Sequence, residues 1–543
     1  MGKKSSGKKK TVITNLLITL VVGAVYFYFN LPAINLQNSA FYSFFFLLAL
    51  LYCVLSIGRM GFRDIATLRD LVDEIKKCCA VPAILCVGLF VFFVVGSFVS
   101  SPILRARAYR ELLTVTEGSF AAEVEEISYD RIPMLDEDSA KRLGDRKLGE
   151  LADMVSQFEV GENYTQINFN GRPVRVTPLE YGDIIKWLNN RADGLPAYLV
   201  IDMVTQNVEV VRLEAGDGIK YTPNEHFGRY LYRYLRFQYP TFMFDEATFE
   251  INEEGVPYWV CPRIVKRIGL FGGTDIEGAV LVNAVTGENV YYQELPSWVD
   301  RVYTANLIIE QYDYHGLYQN GWLNSLFGQR DVTVTTEGYN YIVGGDDVYM
   351  YTGITSVGGD ESNVGFILVN QRTKETKYYP CAGAEEYSAK ASAEGIVQHL
   401  KYVATFPLLL NIEAQPTYFM ALKDSAGLVK MYAMVNVRQY QIVASGTTLA
   451  ECQENYLEQL HLNDLSMPDV IEKQELRGKI AELRTAVLGG NTHVFLRLEG
   501  NQHFYIISVE DAPLAAIVSV GDTVTLTTSL EEGELRTAYA LER

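Results

Sequence analysis

Cysteine and histidine are scarce in this chain of 543 residues, and their placement excludes more than their number does. Four of the seven cysteines, Cys53, Cys78, Cys79 and Cys86, lie in or beside long apolar runs, which leaves Cys261, Cys381 and Cys452 far apart in sequence. An odd, dispersed set is neither a disulfide framework nor a thiolate metal site. The six histidines, His226, His315, His399, His461, His493 and His503, stand in no ligand or catalytic spacing such as H-E-x-x-H. Basic charge is also short once the first hundred residues are set aside. Residues 101–543 hold 37 Lys and Arg against 62 Asp and Glu, a net −25. Such a field repels nucleic acid and suits solubility or cation-rich surroundings.

Two glycine-dense stretches lack the context that would give them chemistry. GLFGG, Gly269–Gly273, runs into TDIEGAVLVN, a strand entry, whereas a phosphate loop needs a helix opening behind its glycines. It reads as a hairpin connection. The acidic turns GGDD (344–347) and GGDES (358–362) lack the alternating register of a calcium loop and read as hairpin turns with solvated carboxylates. No catalytic residue, cofactor site or metal site is expected.

Charge is absent where the chain is most apolar. Thr11–Phe29, Ala40–Ile57 and Ala80–Val99 each run about the 17–25 residues that span a bilayer and carry no charged side chain. Three membrane helices are expected, near 11–29, 40–57 and 80–99. The first could serve as a signal peptide, but Tyr26, Phe27, Tyr28, Phe29 and Asn30 stand where small residues would mark cleavage. Lys3, Lys4, Lys8, Lys9 and Lys10 precede the first run, and Arg59, Arg63, Arg69, Lys76 and Lys77 lie between the second and third. The connection Asn30–Ser39 has no basic residue. Positive charge marks the cytoplasmic side, which places residues 101–543 outside the cell. The few outer cysteines point to a bacterial envelope. Between the second and third runs, Ile65, Leu68, Leu71, Val72 and Ile75 share a helical face, fit for the inner leaflet or a partner helix.

What the chain does have is a recurring turn. VIDMVTQNVEVV (200–211), LVNAVTGENVYY (281–292) and LVNQRTKETKYY (368–379) each place Thr three residues after Asp or Asn. The pairs are Asp202 and Thr205, Asn283 and Thr286 with Gly287, and Asn370 and Thr373. Asx and Thr oxygens bond nearby backbone N–H groups, which suits chain reversal between strands. Strand candidates lie upstream at 194–200, 255–261 and 346–352. A fourth, degenerate copy has PTYFMAL (416–422) and Asn436, with Gln439 at the Thr position. Helical spacing falls between the blocks: Ile184, Ile185 and Leu188; Phe227, Leu231, Tyr234 and Leu235; Trp298, Val302, Ala305 and Ile309; a helix over 385–403; and one capped by Thr448 with Glu451. Arg229, Arg233 and Arg236 line one side of the second, a candidate grip on an anion or an acidic partner.

A helix followed by strands and a V-D-A-x-T-G-x-V turn resembles the PepSY domain, with Val282, Asn283, Ala284, Thr286, Gly287 and Val290 as the nearest match. The chain departs in having Asn for Asp and one extra residue before the valine. The resemblance implies an interaction or inhibitory role and carries no catalytic residue. As a whole the chain resembles large membrane-anchored proteins of Gram-positive bacteria. Toward the end, strand candidates at 479–488, 493–499, 503–509, 522–529 and 535–541, with APLAAIV (512–518) between the third and fourth, resemble a small OB-like barrel.

The expected fold is therefore α+β: three N-terminal transmembrane helices, tandem helix and antiparallel-meander units, and a C-terminal OB-like barrel. The expected divisions are a membrane anchor (1–100), a membrane-proximal helical segment (101–160), repeats at 161–222, 223–295, 296–381 and 382–460, a linker (461–474) and the β domain (475–543). The expected function is that of a non-enzymatic binding or scaffold protein. It would be integral to the plasma membrane, its N-terminus cytoplasmic, with an envelope protein or peptide as partner and no nucleic acid. The alternatives are an envelope hydrolase acting on peptidoglycan or peptides, and a transmembrane regulator signalling through the 58–79 loop.

Overall fold

The computed structural model describes residues 2–59, 68–126, 132–214, 216–357, 362–463, 473–488, 491–501, 503–509, 512–529 and 535–543. Residues 60–67 of the basic loop, 358–361 of the second acidic turn and 464–472 of the expected linker lie outside them. Three long helices come first: α1 (Gly2–Asn30), α2 (Ser39–Gly58) and α3 (Leu68–Val99). Each holds a span long and apolar enough to cross a membrane, Lys10–Asn30, Ser39–Gly58 and Cys79–Val99, and only 17%, 11% and 6% of these windows is covered by the rest of the chain. Such uncovered apolar faces suit lipid and suggest membrane insertion. Between α1 and α2, Asn15 Nδ2 donates to Ser56 Oγ at 3.1 Å, an interhelical polar bond away from the lipid.

The next segment holds α4 (Pro102–Arg110), β1 (Val115–Glu117), α5 (Phe120–Glu123) and α6 (Glu137–Gly149). It is not wholly helical as expected, because Val115–Glu117 pairs in parallel with the free edge of a later sheet at Thr376–Tyr378.

Four five-stranded units follow. The first is β2 (Phe158–Val160), β3 (Thr165–Phe169), β4 (Arg172–Tyr181), β5 (Ala197–Asp202) and β6 (Val208–Arg212), with α7 (Ile184–Asn190) inserted between β4 and β5. After α8 (Leu231–Gln238) come β7 (Met243–Phe244), β8 (Thr248–Ile251), β9 (Pro257–Ile268), β10 (Gly272–Asn283) and β11 (Asn289–Tyr292). After α9 (Ala305–Leu317) come β12 (Thr333–Thr335), β13 (Asn340–Gly344), β14 (Asp347–Ser356), β15 (Ser362–Asn370) and β16 (Thr376–Ala384). After α10 (Glu386–Ile396) come β17 (Val403–Ala404), β18 (Leu408–Ile412), β19 (Gln415–Lys423), β20 (Val429–Asn436) and β21 (Val443–Gly446). In every unit the third strand pairs along its length with both short strands before it, then with the fourth, and the fourth with the fifth. The fourth unit is complete in strands.

One set of hydrogen bonds recurs in all four. The Asx side chain accepts from the N–H groups two and three residues on, from Val204 and Thr205 at Asp202, Val285 and Thr286 at Asn283, Arg372 and Thr373 at Asn370, and Arg438 and Gln439 at Asn436, all at 2.8–3.0 Å. The next residue's N–H donates to the start of the third strand: Met203 to Pro173, Ala284 to Pro257, Gln371 to Val348 and Val437 to Pro416. Thr205, Thr286 and Thr373 accept a further N–H through Oγ1. Without that Thr, the fourth turn is a residue longer, closing from Asn436 N to Ile442 O where the second closes from Asn283 N to Glu288 O. The position after Thr has left-handed backbone in the first three turns, at Gln206, Gly287 and Lys374. Only one of the three uses the residue suited to it.

Three expectations need correction. GLPAYLV (194–200) is the fourth strand of its unit, and the counterpart of the other upstream strands is Arg172–Tyr181, displaced in sequence by α7. Ile184, Ile185 and Leu188 belong to that inserted helix and do not precede the sheet. No helix starts at Trp298: α9 begins at Ala305, because the N–H groups of Asp300 and Arg301 donate to the Glu250 carboxylate at 2.9 and 3.0 Å.

The first two sheets share a core that includes Val176, Leu199, Phe249, Trp259 and Val280. The third and fourth share another, with Tyr351, Phe366, Tyr418 and Met434. Helix α9 covers the opposite face of the third sheet through Ile308 and Tyr312. After α11 (Leu449–Leu462), strands β22 (Lys473–Leu488), β23 (Asn491–Leu498), β24 (Phe504–Ser508), β25 (Thr523–Ser529) and β26 (Leu535–Glu542) pair in a closed ring, β22-β23-β24-β26-β25.

The second unit is seated on the membrane helices. The β9–β10 tip, GLFGG, reaches them: Ser100 Oγ accepts from Leu270 N and Phe271 N at 2.8 and 3.1 Å. The Phe271 ring lies 5.7 Å from Tyr42 and 4.8 Å from Phe93. A Cβ on Gly96 would stand 3.0 Å from the Leu270 and Phe271 side chains, so glycine lets the tip sit this close without either side chain shifting.

Candidate functional site

Helix α11 uses two faces. Thr448 Oγ1 accepts from Glu451 N at 3.2 Å, and Glu451 accepts from Thr447 N at 2.7 Å, which fixes the N-terminus. Cys452, Tyr456 and Leu460 are buried against the fourth sheet, where Tyr456 Oη lies 2.8 Å from Thr417 Oγ1. The other stripe, Ala450, Gln453, Glu454, Leu457, Glu458 and His461, runs at helical spacing and lines a cleft of about 690 Å³. The facing wall is the barrel, through His493, Ile506, Ser508 and Ala538. His493 and Ser508 are register partners on β23 and β24, and alternation along β24 puts Ile506 on the same face as Ser508. The cleft thus sets a mixed wall, Ile506 and Ala538 beside His493 and Ser508, against a helical edge with two carboxylates and an imidazole. It suits an extended segment with apolar and basic side chains. The sequence signals α11 through Thr448 and Glu451, but not that this stripe faces the barrel.

A second polar cluster lies where the first three units meet. Glu250 and Asp300 are fully buried. Burial pushes the Glu250 carboxyl up to about 7, although the Asp300 and Arg301 N–H groups and the Arg301 charge favour its ionised form. Asp300 is also pushed up, first by burial and then by the Glu250 charge. Its Oδ2 accepts from Asn168 N at 2.6 Å. Arg301 Nη2 donates to Tyr341 Oη at 2.7 Å, and Gln166 Nε2 to Tyr341 O at 3.3 Å, which ties all three units together. Paired buried carboxylates can hold a proton between them, but these two are closed off from solvent.

The sequence-predicted positions are placed apart from both clusters. Asp202, Thr205, Asn283, Thr286, Gly287, Asn370 and Thr373 form the turns described above. Asp347 of the first acidic turn accepts from Arg372 Nε and Asn370 Nδ2, both at 2.8 Å, and is spent on the third turn. Of the three arginines, Arg233 and Arg236 are buried. Arg233 Nε donates to Tyr28 O at 2.9 Å and Arg236 Nε to Leu31 O at 3.0 Å, so both guanidiniums are held by carbonyls at the end of α1 and do not form a free cationic stripe. Arg236 also donates to Tyr239, Pro240 and Phe242 carbonyls, and burial lowers its pKa to about 10. Arg229 is half-buried and donates to Arg191 O at 2.6 Å. Among the described residues no group of three or more His, Cys, Asp or Glu is placed to hold a metal. No family model matches the chain, and no curated protein matches it.

Proposed function

We propose that this chain is a membrane-anchored binding protein of the bacterial envelope, with residues 101–543 outside the cell. In this reading the four units are PepSY-like, the closed five-stranded ring is an OB-like barrel, and the ligand is an envelope protein or peptide held between α11 and the barrel. The cleft is the observation that carries it, because Leu457, Ile506 and Ala538 offer apolar contacts and Glu454 and Glu458 offer charge complementary to a peptide with basic side chains. The outer edges of β6 and β11, which pair with no further strand among the described residues, add places where a partner strand can extend a sheet. The basic residues on either side of α1 and α2 support the orientation.

The hydrolase alternative draws on one specific feature: His461 and His493 share the cleft with the two glutamates. The two readings separate in one experiment on the full chain in lipid nanodiscs. Binding of envelope proteins and basic peptides is measured beside turnover of muropeptides, peptides and esters. The binding reading expects salt-sensitive binding, weakened at least about tenfold by Glu454→Lys with Glu458→Lys, and no turnover. Turnover abolished by His461→Ala would replace it with the hydrolase reading.

A further inference from the structure

We infer that α7 and the turn at Phe227–Arg229 form a foot that enters the outer interface of the bilayer spanned by α1–α3. Helix α7 is inverted in polarity for a surface helix. Its aromatic residue, Trp187, is buried and held by Nε1 donating to Glu225 Oε2 at 2.6 Å. Asp183 caps the helix by accepting from Ile185 N and Lys186 N at 2.8 and 2.9 Å. With those contacts fixed, Ile184, Ile185 and Leu188 point outward at 52%, 65% and 51% exposure. A helix packed against a domain ordinarily turns polar residues to water.

Phe227 extends the same patch. It is 61% exposed, and its ring lies 5.9 Å from that of Trp187. Its backbone is left-handed, with φ of 52°, a costly conformation for a bulky aromatic. That cost is retained in a side chain that lies mostly outside the fold's own core.

Its position supplies the occupant. The Phe227 carbonyl accepts from Arg233 Nη1 at 2.7 Å, and the same guanidinium donates through Nε to Tyr28 O in the last turn of α1. Phe237, one turn further along α8, packs on Phe27 and Tyr28 at ring distances of 5.9 and 6.4 Å. The patch therefore lies one guanidinium away from the point where α1 leaves the apolar layer. Ile34 N donates to Pro240 O and Asn35 Nδ2 to Thr241 O, which fixes α8 and its neighbours on the loop between α1 and α2. Lys186, Arg191 and Arg229 flank the apolar residues, and Arg191 stands 5.3 Å from the Trp187 ring. Apolar tips below and cations around them match acyl chains below phosphate headgroups. The foot holds the first unit against the membrane whose spanning helices the second unit already touches through Phe271.

The test uses the full chain in proteoliposomes with Cys53, Cys78, Cys79 and Cys86 replaced by Ala, Cys261, Cys381 and Cys452 being buried. Ile185→Cys, and separately Leu188→Cys, are labelled with an environment-sensitive fluorophore. Outward side chains tolerate such replacement, and two sites guard against a local defect. The expected result is blue-shifted emission, quenched by lipids carrying a nitroxide near the headgroup and protected from aqueous iodide. Quenching by iodide without quenching by lipid would place the patch in water and overturn the inference. Protection from both quenchers would overturn it in favour of a covering protein, either a second copy or another partner.

Discussion

The buried Glu250–Asp300 pair should make this protein lose stability as pH rises through neutrality. A carboxyl raised by burial from the ordinary 4.5 to about 7 keeps its proton in the folded chain where the unfolded chain has released it. Its contribution is fully present below pH 4.5 and is lost as pH rises through about 7. The displacement corresponds to about 3 kcal/mol, a large part of the margin by which domains are stable. Glu250→Gln is the decisive change, because an amide mimics the protonated acid in shape and cannot ionise. Urea unfolding of the full chain in detergent, followed by tryptophan emission at pH 5 and pH 8.5, reads the difference. Trp259 pairs with Phe249 beside Glu250 and reports on this junction. The wild-type chain should lose about 2–3 kcal/mol more than the variant across that interval, part of the effect being already spent at pH 5. Equal losses in the two chains, or a wild-type gain at alkaline pH, would refute the reasoning.

The hairpin tips give a second test. Asn170 and Gly171 suit the two left-handed positions joining β3 to β4, whereas Glu413 and Ala414 occupy the same conformations between β18 and β19. Ala414→Gly should raise the unfolding free energy measured in urea by about 0.5–1 kcal/mol, and Gly171→Ala should lower it by about 1–2 kcal/mol. Phe271→Ala removes two ring contacts with the membrane helices, and amide exchange at Leu270 and at position 271 should rise about tenfold or more while the fourth unit is unchanged. Arg236→Met takes the guanidinium from the Leu31 and Phe242 carbonyls, while Tyr239 and Pro240 keep backbone donors, and should destabilise the α1–α8 contact by about 2–4 kcal/mol, seen as faster exchange around Pro240.

Local chemistry was legible in the sequence where it is self-contained. An Asx oxygen reaches N–H groups two and three residues away whatever the surroundings, so Asp202, Asn283 and Asn370 signalled their turns, and Thr448 with Glu451 signalled the start of α11. The uncharged runs signalled the membrane helices for the same reason. Long-range partners were not legible. Arg233 and Arg236 follow the spacing of an exposed stripe, but their fate depends on carbonyls about two hundred residues earlier. Trp298 and Val302 fit a helical period, yet the Glu250 carboxylate captures the N–H groups a helix would use. The insertion of α7 displaced the first unit's third strand and led its fourth to be matched with strands of the wrong rank. The cleft was hidden because it needs α11 and the barrel together, and its helical half mixes Leu457 with Glu454, Glu458 and His461, a stripe that does not stand out as apolar.

The claim on which the rest depends is that the four units and the barrel lie outside the cell. Cysteine labelling in intact cells tests it, using a maleimide that does not cross membranes on chains with Cys53, Cys78, Cys79 and Cys86 replaced by Ala. One chain carries Glu499→Cys on the exposed β23–β24 connection, and the other Ser6→Cys before the first apolar span. The account predicts labelling of the first chain in intact cells and of the second only after the membrane is permeabilised. Labelling at Ser6→Cys with protection at Glu499→Cys would contradict it, placing the binding surface in the cytoplasm.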